Sequence, residues 1–125
     1  MKKILVLSLL SVALFTSCKK DKDPTIKGLW NIESVSWKYY VNNALDDSDT
    51  EVLTNATINF KDDGSAIIVV YGSTETHTYT VSGNTVSFDG ETYTMQGLSE
   101  NSVVLYVKET YAPGEYEESF IQLKR

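Results

Sequence analysis

Cys18 is the residue whose chemistry the sequence specifies most clearly, and it is the only cysteine in the chain. Lys2 and Lys3 precede an apolar run over residues 4–15, and small residues lead from that run to the cysteine. A basic region, a short hydrophobic region and a small-residue cleavage site in this order are typical of a signal peptide. The run is too short for a permanent span, because a helix rises about 1.5 Å per residue and a bilayer core is roughly 30 Å thick.

We therefore predict that residues 1–17 are a lipoprotein signal peptide and that the Cys18 thiol carries diacylglycerol, with a further acyl chain such as palmitate on the new amine. Several acyl chains are sufficient for stable membrane anchoring, so we expect a lipid-anchored protein of the outer membrane, on its periplasmic or its surface face. Phe15 stands three residues before the cysteine, where leucine is usual. An ordinary secretory signal is therefore the alternative.

The remaining groups that could support catalysis or bind a metal are few. His77 is the only histidine, so it is either a polar anchor for a ligand or incidental, and a zinc site would have to be built mainly from carboxylates. Asp46, Asp47, Asp49 and Glu51 crowd one segment, but the glycine and terminal glutamate of an EF-hand loop are missing. We predict a solvated acidic loop there, no metal, no cofactor and no enzymatic activity, since no glycine-framed serine accompanies the histidine.

The charge balance restricts the partners. Loss of residues 1–17 leaves 108 of the 125 residues and moves the formal charge from −6 to −8, because two lysines are removed. A surface this acidic should repel nucleic acid and anionic lipid, since both are bound through lysine and arginine. Residues 18–25 are mostly charged and include a proline, which predicts a lipidated tether before one domain at 26–125.

The domain is predicted to be all-β, because short β-branched and aromatic runs alternate with turn residues and no helical period appears. Hairpin-sized gaps imply an antiparallel up-and-down meander. The eight predicted strands cover residues 26–41, 51–60, 65–72, 75–81, 85–88, 91–97, 102–110 and 117–124. The alternation of apolar residues changes frame near Ser34, which predicts a bulge or bend in a long first strand that could pair at both ends of the meander and close it.

Four patterns in the chain resemble the lipocalin-like domain of Gram-negative bacterial lipoproteins. They are Gly28-Leu29-Trp30, residues 60–64 (FKDDG), residues 79–84 (YTVSGN) and the final Leu123-Lys124-Arg125. The resemblance implies a small barrel in which Trp30 closes the floor and stacks against Lys124 or Arg125. The chain departs from lipocalins in lacking a C-terminal helix and a Thr-Asp-Tyr motif, and in being shorter.

The resemblance also implies a small apolar ligand inside the barrel and no catalysis. Strand parity then gives the candidate lining residues: Trp30, Ile58, Phe60, Ile68, Val70, His77, Tyr79, Phe88, Tyr93, Met95 and Leu105. The rival hypothesis is a solidly packed barrel that holds an envelope protein or a glycan. It rests on the outward apolar side chains of two strands, Ile67, Val69, Tyr71, Val104 and Tyr106, and on the aromatic residues Trp37, Tyr39, Tyr40, Tyr111 and Tyr116.

Overall fold

The structure, a computed structural model, describes residues 23–125, and nine strands follow one another along this part of the chain. The signal peptide, Cys18 and most of the tether lie outside the described residues. The strands are β1 (Gly28–Val41), β2 (Ala44–Val52), β3 (Thr57–Phe60), β4 (Ser65–Val70), β5 (Ser73–Ser82), β6 (Thr85–Phe88), β7 (Glu91–Gln96), β8 (Ser102–Ala112) and β9 (Glu115–Lys124).

The first strand closes the sheet into a barrel, as predicted. Gly28–Asn31 of β1 pair with β3, and from Asn31 onward β1 also pairs with β9, while β3 to β9 follow one another as antiparallel neighbours. The β1–β9 register shifts between Ile32 and Ser34, which confirms the change of frame near Ser34. An eight-stranded antiparallel barrel with one additional strand results, and closure leaves no free edge around the barrel itself.

The additional strand corrects two of our predictions. The segment 51–60 is not one strand, and the acidic residues Asp46 to Glu51 lie in β2 and not in a loop. Asn42 and Asn43 both have positive φ, 55° and 62°, which is the backbone of a two-residue hairpin turn. This turn folds β2 back onto β1, although aspartate is a poor strand residue and all nine residues of β2 are exposed.

The chain between β2 and β3 stays beside β1. The Leu53 amide donates to the Glu33 carbonyl oxygen, and the Ile32 amide donates to the Ala56 carbonyl oxygen, both at 2.9 Å. Together β2 and β3 therefore occupy one position in the barrel, next to β1.

Four strands continue past the barrel on one side. β4 ends at Val70 and β6 at Phe88, whereas the pairing of β1 with β2 runs to Val41 and that of β8 with β9 runs to Ala112. We call this extension the projecting sheet; it consists of residues 36–41, 44–51, 107–112 and 115–120. It rises beside the open end of the barrel, which we call the mouth.

The core fills the opposite end, which we call the floor. The buried apolar residues are Ile26, Trp30, Ile32, Ala56, Ile58, Phe60, Ala66, Tyr79, Val86, Phe88, Met95, Val103, Leu105 and Leu123. Seven of these fourteen residues were among the candidate lining residues that strand parity gives: Trp30, Ile58, Phe60, Tyr79, Phe88, Met95 and Leu105. No helix within residues 23–125 is long and apolar enough to cross a membrane.

Candidate functional site

Trp30 and Arg125 close the floor of the barrel. The Trp30 indole is fully buried and its Nε1 donates to the Ile26 carbonyl oxygen at 2.7 Å. The Arg125 guanidinium lies 3.8 Å from the centre of the indole ring and donates to the carbonyl oxygens of Lys27 and Glu100, both at 2.7 Å. Of the two candidate cations, the one that stacks on the indole is therefore Arg125, and its hydrogen bonds also hold the segment before β1 and the β7–β8 connection at the floor.

A cavity of about 330 Å³ opens at the mouth. Six of the predicted lining residues surround it: Ile58, Ile68, Val70, Phe88, Tyr93 and Leu105. The lining residues that were not among the candidates are Ile32, Val35, Glu51, Leu53, Tyr71, Glu75, Asp89, Ile121 and Leu123. Four of these are apolar strand residues on the inward face that strand parity gives, although they were left off the lining list: Ile32, Val35, Ile121 and Leu123.

The other predicted lining residues lie away from the cavity. Trp30, Phe60, Tyr79 and Met95 are buried in the core below it. The Phe60 ring packs edge-on against Tyr79 at 5.0 Å between ring centroids and against Phe88 at 5.7 Å. Large side chains therefore fill the floor half of the barrel, and the space that remains lies at the mouth.

His77 lies at the rim between two carboxylates. Its Nε2 is 2.9 Å from Glu75 Oε1, and its Nδ1 is 3.6 Å from Asp89 Oδ1. The two carboxylates are mostly exposed, whereas the imidazole is mostly covered. Each carboxylate faces a different ring nitrogen, and one ligand atom from each of the three residues lies within 4.8 Å of the others, close enough to hold a metal ion. Glu75 and Asp89, but not His77, also line the cavity.

The pKa values of two tyrosines at the mouth are raised, in part by neighbouring carboxylates. The Tyr71 hydroxyl donates to the Glu51 carboxylate, and this hydrogen bond, with burial and the charge of Glu51, raises the pKa of Tyr71. Burial, together with the charges of Glu91 and Asp89, raises the pKa of Tyr93. Both phenols are therefore neutral at physiological pH.

The inner face of the projecting sheet continues the wall of the cavity. Val35, Glu51, Ile121 and Leu105 stand opposite one another in one row across β2, β1, β9 and β8, and all four line the cavity. Because side chains alternate between faces, the same face reappears two residues further along each strand. The next row holds Asp49, Trp37, Ser119 and Val107, and the row after it holds Asp47, Tyr39, Glu117 and Glu109.

The outer face of the projecting sheet carries the other aromatic residues. Tyr40 and Tyr116 stack at 4.6 Å between ring centroids, and Tyr106 packs against Phe120 at 5.3 Å. Lys108 lies over the Tyr116 ring at 4.1 Å and Lys38 lies over the Phe120 ring at 5.5 Å. The aromatic residues of the predicted glycan platform are thus divided between two faces, since Trp37 and Tyr39 point to the mouth side.

Comparison of the chain with protein-family models, with curated proteins and with solved structures finds no match in any of the three. The candidate site is therefore defined by its geometry alone.

Proposed function

We propose that the protein is a lipid-anchored envelope protein whose lipocalin-like barrel binds a small apolar molecule without catalysing a reaction. The observation that carries the proposal is the cavity of about 330 Å³ at the mouth. Its volume falls within the range of roughly 300–1,000 Å³ that is usual for small-molecule sites, near the lower end. A compact ligand of one or two rings fits this volume better than a long lipid chain.

The lining favours an apolar ligand body. Most of the wall consists of aliphatic and aromatic side chains, and the carboxylates stand at the rim. A sugar or a peptide would bring many hydroxyls or amides against this wall, and each group left without a partner would cost roughly 1–3 kcal/mol.

The position of the chain entry supports the anchored arrangement. Residues 25–27 lie at the floor, where Arg125 Nη2 donates to the Thr25 carbonyl oxygen at 3.0 Å. An extended chain spans at most about 3.3–3.6 Å per residue, so the tether at 18–25 is short. A lipid on Cys18 would therefore hold the floor nearest the bilayer and leave the mouth open to the aqueous side.

The proposal is tested by titrating a naphthalene dye, whose fluorescence responds to its surroundings, into the chain from residue 19 onward. Ile68→Trp would fill the cavity, because Ile68 lines it. Ile67→Trp is the matched control, since Ile67 pairs with Asn59 and Thr76 on the outer face of the same strand. We expect saturable binding by the parent and by Ile67→Trp, and none by a folded Ile68→Trp. Absence of saturable binding by the parent would reject the proposal.

A second candidate function is an interaction module that uses the outer face of the projecting sheet. It is supported by the row of Lys38, Glu118 and Lys108, in which both lysines are exposed and which the stacked Tyr40 and Tyr116 flank. Chemical cross-linking in native membranes would test it. A partner protein that cross-links to the parent and to Ile68→Trp, but not to Tyr40→Ser, would favour this function over ligand binding.

A further inference from the structure

The mouth of the cavity combines an apolar wall with three carboxylates. Glu51 lines the cavity from β2, Glu75 from β5 and Asp89 from the β6–β7 turn. These carboxylates stand at two places along the opening, Glu51 beside Tyr71 and the other two on either side of His77.

The negative charge continues upward along the inner face of the projecting sheet. Asp49 stands beside Trp37 in the first row above the cavity, and Asp47, Glu117 and Glu109 share the next row with Tyr39. Adjacent rows on one face are separated by about 6–7 Å, since a strand rises 3.2–3.4 Å per residue. A ligand that approaches the mouth along this face therefore passes several carboxylates and two aromatic side chains, and no lysine or arginine.

The described cations lie elsewhere on the molecule. Lys38 and Lys108 occupy the outer face of the projecting sheet, over the rings of Phe120 and Tyr116. The others lie at the floor end: Lys27, Lys61, Lys124 and Arg125. Within residues 23–125, lysine and arginine are thus confined to the floor end and the outer face, while the mouth and the inner face carry acidic side chains and no lysine or arginine.

We propose that the ligand of this cavity is an apolar cation, that is, a compact hydrophobic body that bears one ammonium group. This inference rests on the proposed ligand-binding function and specifies its chemical class. The body would fill the aliphatic and aromatic cavity, and the ammonium would remain at the rim among Glu51, Glu75 and Asp89. The phenol rings of Tyr71 and Tyr93, which also line the cavity, provide faces that attract a cation. A fatty acid, with a carboxylate at the same position, would be repelled.

Three probes that share one apolar body and differ in charge test this inference: 1-naphthylmethylamine, 1-naphthalenemethanol and 1-naphthoic acid. Their binding is measured by equilibrium dialysis against the full lipidated chain in nanodiscs, with empty nanodiscs to subtract partition into lipid. We expect the amine to bind about tenfold more tightly than the alcohol, because several carboxylates face the charged group. The acid should bind at least tenfold more weakly than the alcohol, because the same carboxylates repel it. The preference should decrease as salt is added.

Two double variants each remove two negative charges, one pair at the mouth and the other at the floor end. Glu51→Gln combined with Asp89→Asn removes two charges at the mouth. Asp62→Asn combined with Glu100→Gln removes two at the floor end, where Asp62 is largely exposed. The mouth variant should lose most of the preference for the amine while retaining the affinity for the alcohol, and the floor variant should behave as the parent does.

The outcomes separate the inference from the function on which it rests. Binding of the alcohol or the acid as tight as that of the amine would overturn the cationic ligand and leave a ligand-binding cavity in place. An amine preference that survives in the mouth variant would also overturn it, because the charge would then act elsewhere. Failure of all three probes to bind a folded parent would reject ligand binding itself.

Discussion

Replacement of Trp30 by alanine should be among the most damaging single changes in the protein. The indole is fully buried at the floor, donates a hydrogen bond to the Ile26 carbonyl oxygen, and lies under the Arg125 guanidinium. Loss of a buried tryptophan costs roughly 3–5 kcal/mol, because burial is lost and a cavity remains. Against a total stability of about 5–15 kcal/mol for a typical domain, this change could leave little folded protein.

The assay is urea unfolding of the chain from residue 19 onward, followed by far-ultraviolet circular dichroism. Circular dichroism is preferred because the substitution removes one of only two tryptophans. Trp37→Ala is the control, since Trp37 is half-buried on the inner face of the projecting sheet, and it should cost less than half as much. Trp30→Phe should recover about half of the loss, because a ring remains but the hydrogen bond to Ile26 is gone.

A loss of less than about 1 kcal/mol for Trp30→Ala would refute the reasoning, given the usual cost of emptying a core position. Equal losses for Trp30→Ala and Trp37→Ala would also refute it. Either result would mean that the floor is not the main packed core of the barrel.

Three further predictions concern the anchor, the outer face and the floor. Cys18→Ala should release the protein from the membrane fraction or leave unprocessed precursor, and metabolic labelling with an alkyne fatty acid should give no signal. Cys18→Ala protein that is still labelled and still bound to the membrane would reject lipidation of Cys18. Burial and the hydrogen bond to Glu118, 2.6 Å long, raise the pKa of Tyr106 to about 12. The unfolded phenol ionises near pH 10, so this contribution to stability is complete below pH 10 and is lost as the pH rises through about 12. In the parent, the urea midpoint should therefore fall over that pH range, and it should fall less in Tyr106→Phe. An equal fall in both proteins would count against the raised pKa of Tyr106. Arg125→Met should lower the free energy of unfolding in urea by about 1–3 kcal/mol, because stacking and hydrogen bonds are lost. Arg125→Lys should recover less than half of that free energy, because lysine lacks the planar fork of donors. Full recovery with lysine would contradict the stacked geometry.

The sequence predicted the closed barrel because strand parity and turn residues carry that information locally. The frame change near Ser34 indicated that the first strand bends, and a bent first strand can pair at both ends of the meander. The structure shows this pairing with β3 and β9. Trp30 was predicted at the floor through the resemblance, and its burial agrees with that position.

β2 could not be predicted from the composition of its own residues. Aspartate and serine favour turns and loops, so the segment was interpreted as a loop, and only its pairing with β1 makes it a strand. The signal that was available is the pair Asn42 and Asn43, which tolerates the positive φ of a two-residue hairpin.

Only part of the cavity lining was predicted. Strand parity gives the face on which a side chain lies, but it does not give the height of that side chain in the barrel. Phe60 and Tyr79 point inward as predicted, but they pack against each other in the core. Tyr71 was predicted to face outward as a strand residue. It lies instead in the turn after β4 with φ at 52°, and there it lines the mouth.

Native mass spectrometry of the protein released from its own membranes tests the central claim most directly. The account predicts that the parent and Ile67→Trp carry an additional small-molecule mass beyond the acyl chains, and that Ile68→Trp lacks it. A parent that carries only its acyl chains would contradict the claim that the barrel binds a ligand at its mouth, as would an additional mass that persists in Ile68→Trp.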